Sequence, residues 1–107
     1  MNGPYVMLAP IQLKAGLGEE ALIEASDAFQ ARFAGRQQGI LKRLLLRATD
    51  GSYADLVFFA SKDAADRVVE AEKTSEACLD YFKIMEIPED ASPDMGVLSF
   101  EHVKTYE

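Results

Sequence analysis

Cysteine and histidine are almost missing from this chain, with one of each among 107 residues. The lone Cys78 cannot form a disulfide within the chain, which is typical of a reducing compartment, so we expect a cytoplasmic protein. One cysteine and one histidine cannot supply a tetrahedral set of nitrogen and sulfur ligands, and we expect no metal site. A glycine-rich phosphate loop is also lacking, because Gly16 and Gly18 are followed by Glu19 and Glu20, which would repel phosphate. We expect no bound cofactor.

Positive charge is scarce as well: 11 Lys and Arg residues oppose 18 Asp and Glu residues, which leaves a formal net charge of −7. An acidic surface repels nucleic acid and anionic membranes, so we expect neither as a partner. No apolar run reaches the roughly 18 residues that a membrane-spanning helix needs, and no signal peptide is visible. The hydrophobic fraction of 49% is that of an ordinary globular protein. The length predicts a single domain over residues 1–107.

The first half of the chain predicts a strand, a helix and a hairpin. Residues 5–13 are apolar throughout and predict a strand. The next segment predicts a helix, because apolar residues recur at three- and four-residue spacing along one face: Leu22, Ala25, Phe29 and Phe33. Residues 40–47 and 53–60 predict two strands, and Asp50 and Gly51 between them are typical of a hairpin turn.

The second half predicts another helix and a last strand. Ser61 is a candidate N-cap, and a polar interval over residues 70–76 can kink or split the helix that follows. Its apolar stripe resumes at Cys78, Leu79, Phe82 and Met85. Residues 88–93 predict a polar loop, and residues 96–106 predict the last strand. The order β-α-β-β-α-β predicts an α+β, ferredoxin-like fold, with a four-stranded antiparallel sheet and helices on one face. Whether the last strand lies at the edge or beside the first stays open.

Successive side chains of a strand point to opposite faces of the sheet, so each strand supplies one set of residues to each face. One set is apolar in every strand: Val6, Leu8, Leu44, Leu46, Leu56, Phe58, Leu98 and Phe100. The other set, which forms the mixed-polarity face, combines apolar residues, among them Leu41 and Leu45, with charged ones. Helices on one face leave the other in water, at about 1.5–3 kcal/mol for each large side chain not buried. We therefore expect a homodimer through the uncovered face, with partial cover by loops and chain ends as the alternative.

The candidate site lies on the mixed-polarity face of the sheet. Arg43 and Asp55 lie on the two strands of the hairpin and can face each other across it. If this face looks toward the helices, the two charges are partly buried, which is unfavourable without a further reason. Together with Tyr53, Phe59 and Ser99 they are candidates for the lining of a small-molecule pocket, which is usually apolar with a few polar groups. A cross-strand ion pair at a dimer interface is the alternative, and both interpretations stay open.

No catalytic residue can be named from the sequence. His102 lies near the end of the last strand, and its neighbour Glu101 points to the opposite face, so it has no evident partner as a general base. Cys78 lies on an apolar helix stripe, where a buried structural role is the simpler interpretation.

Residues 53–82, which contain the segments YADLVFFASKDAADRV and TSEACLDYF, resemble the antibiotic biosynthesis monooxygenase family. In that family the third strand commonly ends in an aromatic residue, typically tryptophan, followed by a serine-containing turn into the second helix. Phe59 and Ser61 stand at these positions. Family members often carry a histidine in the second helix, where this chain has Ser75, Glu76 and Ala77. The resemblance implies a dimeric α+β barrel, while the family's catalytic residues do not carry over.

The resemblance also implies a function. We expect a cofactor-independent, monooxygenase-like enzyme that acts on an aromatic or polyketide-like small molecule. Oxygenation of this kind can rest on activation of the substrate in an apolar pocket, with Tyr53, Arg43 or Asp55 handling a proton. The alternative is a dimer of the same fold that binds a small molecule, or only assembles, without catalysis. The sequence does not decide whether the protein is an enzyme.

Overall fold

The computed structural model describes residues 4–86 and 96–106. These residues form eight elements: β1 (Tyr5–Ile11), α1 (Glu19–Arg32), a short 3₁₀ helix (Ala34–Arg36), β2 (Ile40–Arg47), β3 (Tyr53–Phe59), α2 (Lys62–Glu72), α3 (Glu76–Phe82) and β4 (Leu98–Glu101). The predicted α+β order is confirmed, and the second predicted helix is split in two. The loop predicted over residues 88–93 lies outside the described residues.

The four strands form one antiparallel sheet in the order β2-β3-β1-β4. The first strand is central, and Tyr5 lies opposite Phe59 of β3 on one side and opposite Glu101 of β4 on the other. The last strand therefore lies both beside the first and at the edge. Both terminal strands are shorter than predicted: β1 ends at Ile11, and β4 contains only four residues.

The helices begin where the sequence supplies a cap or the preferred charge. The α1 helix begins after Gly18 with Glu19 and Glu20 in its first turn, where the helix dipole favours negative charge. Ser61 caps α2, because its hydroxyl accepts a hydrogen bond from the backbone N–H of Ala64 at 3.0 Å. Ser75 caps α3 in the same way, which explains why the polar interval splits the helix.

The mixed-polarity face of the sheet packs against the helices. Leu22 of α1, Val68 of α2 and Tyr81 of α3 are buried against Phe59. The prediction that Leu41 shares this face is wrong, because the pairing with β3 shifts between Ile40 and Lys42. This irregularity leaves Leu41 60% exposed, and Ile40 packs against the core instead.

The opposite side of the sheet, here named the open face, carries Lys42, which pairs with Phe58, and eight apolar side chains: Val6, Leu8, Leu44, Leu46, Leu56, Phe58, Leu98 and Phe100. They form cross-strand rows, since Val6 lies between Phe58 and Phe100. Leu44 and Leu46 are 41% and 40% exposed, and Leu98 and Phe100 are 53% and 50% exposed. The set of strand residues that the sequence predicted to be apolar throughout is thus the set that the helices leave uncovered.

The contact between the start of β2 and α2 leads to a stability prediction. A Cβ atom added at Gly39 would lie 2.8 Å from the Cβ of Ala64. Overpacking of this kind forces the backbone to shift. We expect Gly39→Ala to lower the free energy of unfolding by about 1–3 kcal/mol in urea denaturation.

A double-mutant cycle with Ala64→Gly tests the cause. Ala64→Gly removes the atom that the new methyl group meets, so the double variant should be more stable than the sum of the two single losses implies. Simple additivity would contradict the steric explanation.

Candidate functional site

A cavity of about 430 Å³ lies between the sheet and the helices. Most of its lining is apolar and comes from several elements, including Met7, Phe29, Phe59, Val68, Leu79 and Phe82. Its buried polar groups are Arg43, Asp55 and Tyr81. Both the volume and a mainly apolar lining with a few polar groups are typical of small-molecule sites.

A hydrogen-bonded ion pair forms the polar end of this cavity. The Nη2 atom of Arg43 lies 3.0 Å from both carboxylate oxygens of Asp55, and the two side chains are only 7% and 8% exposed. The same Nη2 donates to the hydroxyl of Ser26 at 2.9 Å, and Nη1 donates to the side-chain oxygen of Gln30 at 3.0 Å. The Tyr81 hydroxyl donates to Oδ2 of Asp55 at 2.9 Å. The pair therefore connects two strands and two helices.

Aromatic rings enclose the charged groups. The guanidinium carbon of Arg43 lies 4.9 Å from the ring centroid of Phe29, which stacks on Tyr81 at 4.6 Å. Among the described residues the buried Nε of Arg43 has no hydrogen-bond acceptor, and the Phe29 ring lies against the same guanidinium group. Burial raises the pKa of Tyr81, and the negative charge of Asp55 raises it further. Tyr81 therefore stays protonated and donates to Asp55.

The structure brings together three of the five candidate pocket residues. Arg43, Asp55 and Phe59 line the cavity. Tyr53 lies outside this lining. Its pKa is raised mainly by burial and also by a hydrogen bond with Glu19. Ser99 also lies outside the lining, on the exposed β4 strand. A role in ligand binding stays a prediction for all five residues.

Sequence reasoning did not single out the helical residues that complete the network. Ser26 is four residues after Leu22 and three before Phe29, so a serine inside an apolar stripe was the available signal. Tyr81 follows Cys78 by three residues on the α3 stripe, and it looks like an ordinary core aromatic residue. Its contact with Asp55 spans 26 residues of chain, which a periodic pattern does not predict.

The two remaining chemical candidates lie apart from this network. Cys78 is fully buried, and burial raises its pKa to about 11, which keeps the thiol protonated and is consistent with a packing role. His102 is exposed after the end of β4, with its ring 2.8 Å from the hydroxyl of Thr105. Within residues 4–86 and 96–106, no group of three His, Cys, Asp or Glu side chains is arranged to hold a metal ion. In that same part of the chain, no helix is long and apolar enough to cross a membrane.

Solved structures with the same arrangement of elements include SnoaB, a cofactor-independent oxygenase from Streptomyces nogalater. It is 18% identical, with a TM-score of 0.67 and 96% of each chain covered. A proposed antibiotic biosynthesis monooxygenase from Caulobacter crescentus is 16% identical, with a TM-score of 0.67 and coverage of 96% of this chain and 92% of that one. The chain has their fold. The resemblance seen in the sequence is confirmed at this level, although no family model and no curated protein matches the sequence.

The buried ion pair leads to a second stability prediction. We expect Arg43→Met to lower the free energy of unfolding by about 3–5 kcal/mol, because it leaves the Asp55 charge buried and uncompensated. The double variant Arg43→Met/Asp55→Leu should recover most of this loss, since both desolvated charges are then absent.

Arg47→Met is the matched control. It breaks the ion pair between Arg47 and Glu19, whose side chains are 64% and 39% exposed, and it should cost less than about 1 kcal/mol. Equal losses for the Arg43 and Arg47 variants in urea denaturation would contradict the assignment of a desolvated pair.

Proposed function

We propose that this protein binds an aromatic or polyketide-like compound in the cavity and oxygenates it with molecular oxygen, without a bound metal or flavin. The observation that carries this proposal is the buried pair of Arg43 and Asp55 at the end of an apolar cavity. A desolvated ion pair is unfavourable for folding unless it is fully hydrogen-bonded, and apolar replacements are often as stable. A role in binding a ligand or in transferring its proton would explain why the cavity contains this buried ion pair.

The chemistry follows from what the site can supply. An electron-rich substrate reacts with oxygen after it loses a proton, and the carboxylate of Asp55 is a buried proton acceptor in the cavity lining. The apolar walls exclude water from the reactive anion. A methylene carbon beside an aromatic ring then takes one oxygen atom as a carbonyl, while its two hydrogens and the second oxygen atom leave as water. The substrate supplies all the electrons, so no redox cofactor enters the balance.

The fold is consistent with this chemistry, since SnoaB is described as a cofactor-independent oxygenase. Such support is an analogy at the level of the fold, because one fold hosts many activities. One observation favours a second function, the binding of a small molecule without reaction. The Asp55 carboxylate already accepts three hydrogen bonds from Arg43 and Tyr81, which hold it in a fixed position as an anchor for a ligand.

We also propose that the protein forms a homodimer through the open face. Two open faces packed together would remove eight apolar side chains per protomer from water. Lys42 also lies on this surface, with its Nζ atom 4.7 Å from the ring centroid of Phe58. The cavity lies on the other side of the sheet, so each protomer would hold its own complete site.

The oxygenase proposal predicts oxygen consumption with a suitable substrate. We expect oxygen uptake, measured with an oxygen electrode, when the protein is mixed with a panel of phenolic aromatic compounds that carry a methylene carbon beside the ring. Asp55→Asn should lower the rate by about 100-fold or more, because loss of a positioned general base has this effect. Tyr106→Phe is the control, since Tyr106 is 81% exposed and lies outside the cavity lining, and it should keep most of the rate.

The two functions separate on a second measurement. Thermal stabilisation by the same compounds without oxygen uptake would contradict the oxygenase and support the binding protein.

The dimer proposal predicts the effect of a charge on the open face. We expect Phe100→Lys to give a monomer in sedimentation equilibrium, because the charge would be buried between the two sheets. Ile23→Lys is the matched control on α1, because Ile23 is 44% exposed and Phe100 is 50% exposed. It should leave the dimer intact, and a wild-type monomer at micromolar concentration would contradict the proposal.

A further inference from the structure

We infer that the polar end of the cavity selects a neutral ligand that donates a hydrogen bond to Asp55, such as a phenol, and discriminates against carboxylates and other anions. The inference deepens the proposed function, because it rests on the cavity as a ligand site. It does not depend on turnover, and binding alone can test it.

The positive charge in the cavity is already compensated. Arg43 bonds both oxygens of Asp55 at 3.0 Å, and its two terminal nitrogens also donate to Ser26 and Gln30. Its Nε is buried and has no acceptor among the described residues, and its guanidinium carbon lies 4.9 Å from the ring centroid of Phe29. An anionic ligand would therefore meet an arginine whose charge is balanced and whose other groups are enclosed.

The other charges near the cavity do not favour an anion either. Glu72 and Lys73 contribute to the lining at the end of α2. The Nζ atom of Lys73 lies 3.0 Å from the carboxylate of Glu70, which balances its charge at the surface. The whole chain carries a formal net charge of −7, which adds a weak repulsion of anions.

Apart from the buried Nε of Arg43, the spare hydrogen-bonding capacity at this end is that of an acceptor. The Oδ2 atom of Asp55 accepts from both Arg43 and Tyr81, while Oδ1 accepts from Arg43 alone in the described network. A carboxylate oxygen has two lone pairs, so Oδ1 can accept one further hydrogen bond. Tyr81 already uses its single proton on Asp55 and has none left to donate. A ligand hydroxyl that donates a hydrogen bond to Oδ1 of Asp55 would therefore fill the remaining acceptor position.

The consequence is a ranking of ligands with the same ring system. A hydroxyl adds a hydrogen bond to a charged oxygen in a water-poor site, which is worth about tenfold or more in affinity. A methyl ether of the same ring fills the apolar space but has no proton to donate. A carboxylate places its charge beside the Asp55 carboxylate and loses its own hydration, so it should bind most weakly.

The test compares naphthol, methoxynaphthalene and naphthoate at neutral pH with the full chain, by isothermal titration calorimetry. We expect naphthol to bind about tenfold more tightly than methoxynaphthalene, and naphthoate to bind more weakly than both. Equal affinities of naphthol and methoxynaphthalene, or naphthoate as the tightest ligand, would overturn the inference and leave the proposed ligand site standing. Failure of all three to bind would contradict the cavity as a site for aromatic ligands, and with it both proposals.

Two variants identify the responsible atoms. Asp55→Asn removes the negative charge and leaves Arg43 uncompensated, so naphthoate should gain affinity relative to naphthol, whose hydroxyl can still donate to the neutral amide oxygen. Tyr81→Phe keeps the carboxylate and should keep the wild-type order, as should Tyr106→Phe outside the cavity lining. An unchanged ratio of the naphthol and naphthoate affinities in Asp55→Asn would overturn the inference. If Asp55→Asn does not fold, the wild-type series alone decides between the outcomes given above.

Discussion

The ion pair between Arg43 and Asp55 connects the layers of this small protein. Two strands of the hairpin carry the charges, and α1 and α3 supply the hydrogen bonds that compensate them through Ser26, Gln30 and Tyr81. A buried pair is unfavourable whenever one partner is missing, because the remaining charge has lost its hydration. The helices therefore need a fixed position over the sheet for the pair to be satisfied. The same requirement holds the polar end of the cavity in one geometry.

A second constraint comes from having helices on only one side of the sheet. The covered side takes the mixed-polarity residues, and its charges find partners on the helices. The uncovered side is apolar in all four strands, and Leu44, Leu46, Leu98 and Phe100 are each at least 40% exposed. Ligand binding and self-association would thus use opposite faces of one sheet. This separation lets a dimer form without altering the lining of either cavity.

The sequence predicted the element order and the two faces because strand side chains alternate with a period of two, which survives in any register. The position of Leu41 was wrong because an irregularity in the pairing of β2 interrupts that period. The alternation also does not show how close two residues on the same face lie along the strands. Tyr53 and Ser99 share the parity of Asp55 but stand at the far end of β3 and on the exposed β4, away from the cavity lining. Ser26 and Tyr81 joined the site only through tertiary packing.

The fold alone cannot supply the chemistry, because its likeness to SnoaB comes with 18% identity. The aromatic position at the end of β3 holds Phe59, which is 3% exposed, lines the cavity and carries no polar group. No histidine stands in α2 or α3. The buried groups of the described lining that can exchange a proton are then those of the Arg43, Asp55 and Tyr81 network, while Glu72 and Lys73 line the cavity at the end of α2. Because the charge of Arg43 is balanced and Tyr81 already donates its proton, the proposed ligand would meet Asp55. The choice of ligand and the proposed proton transfer would then depend on this one carboxylate.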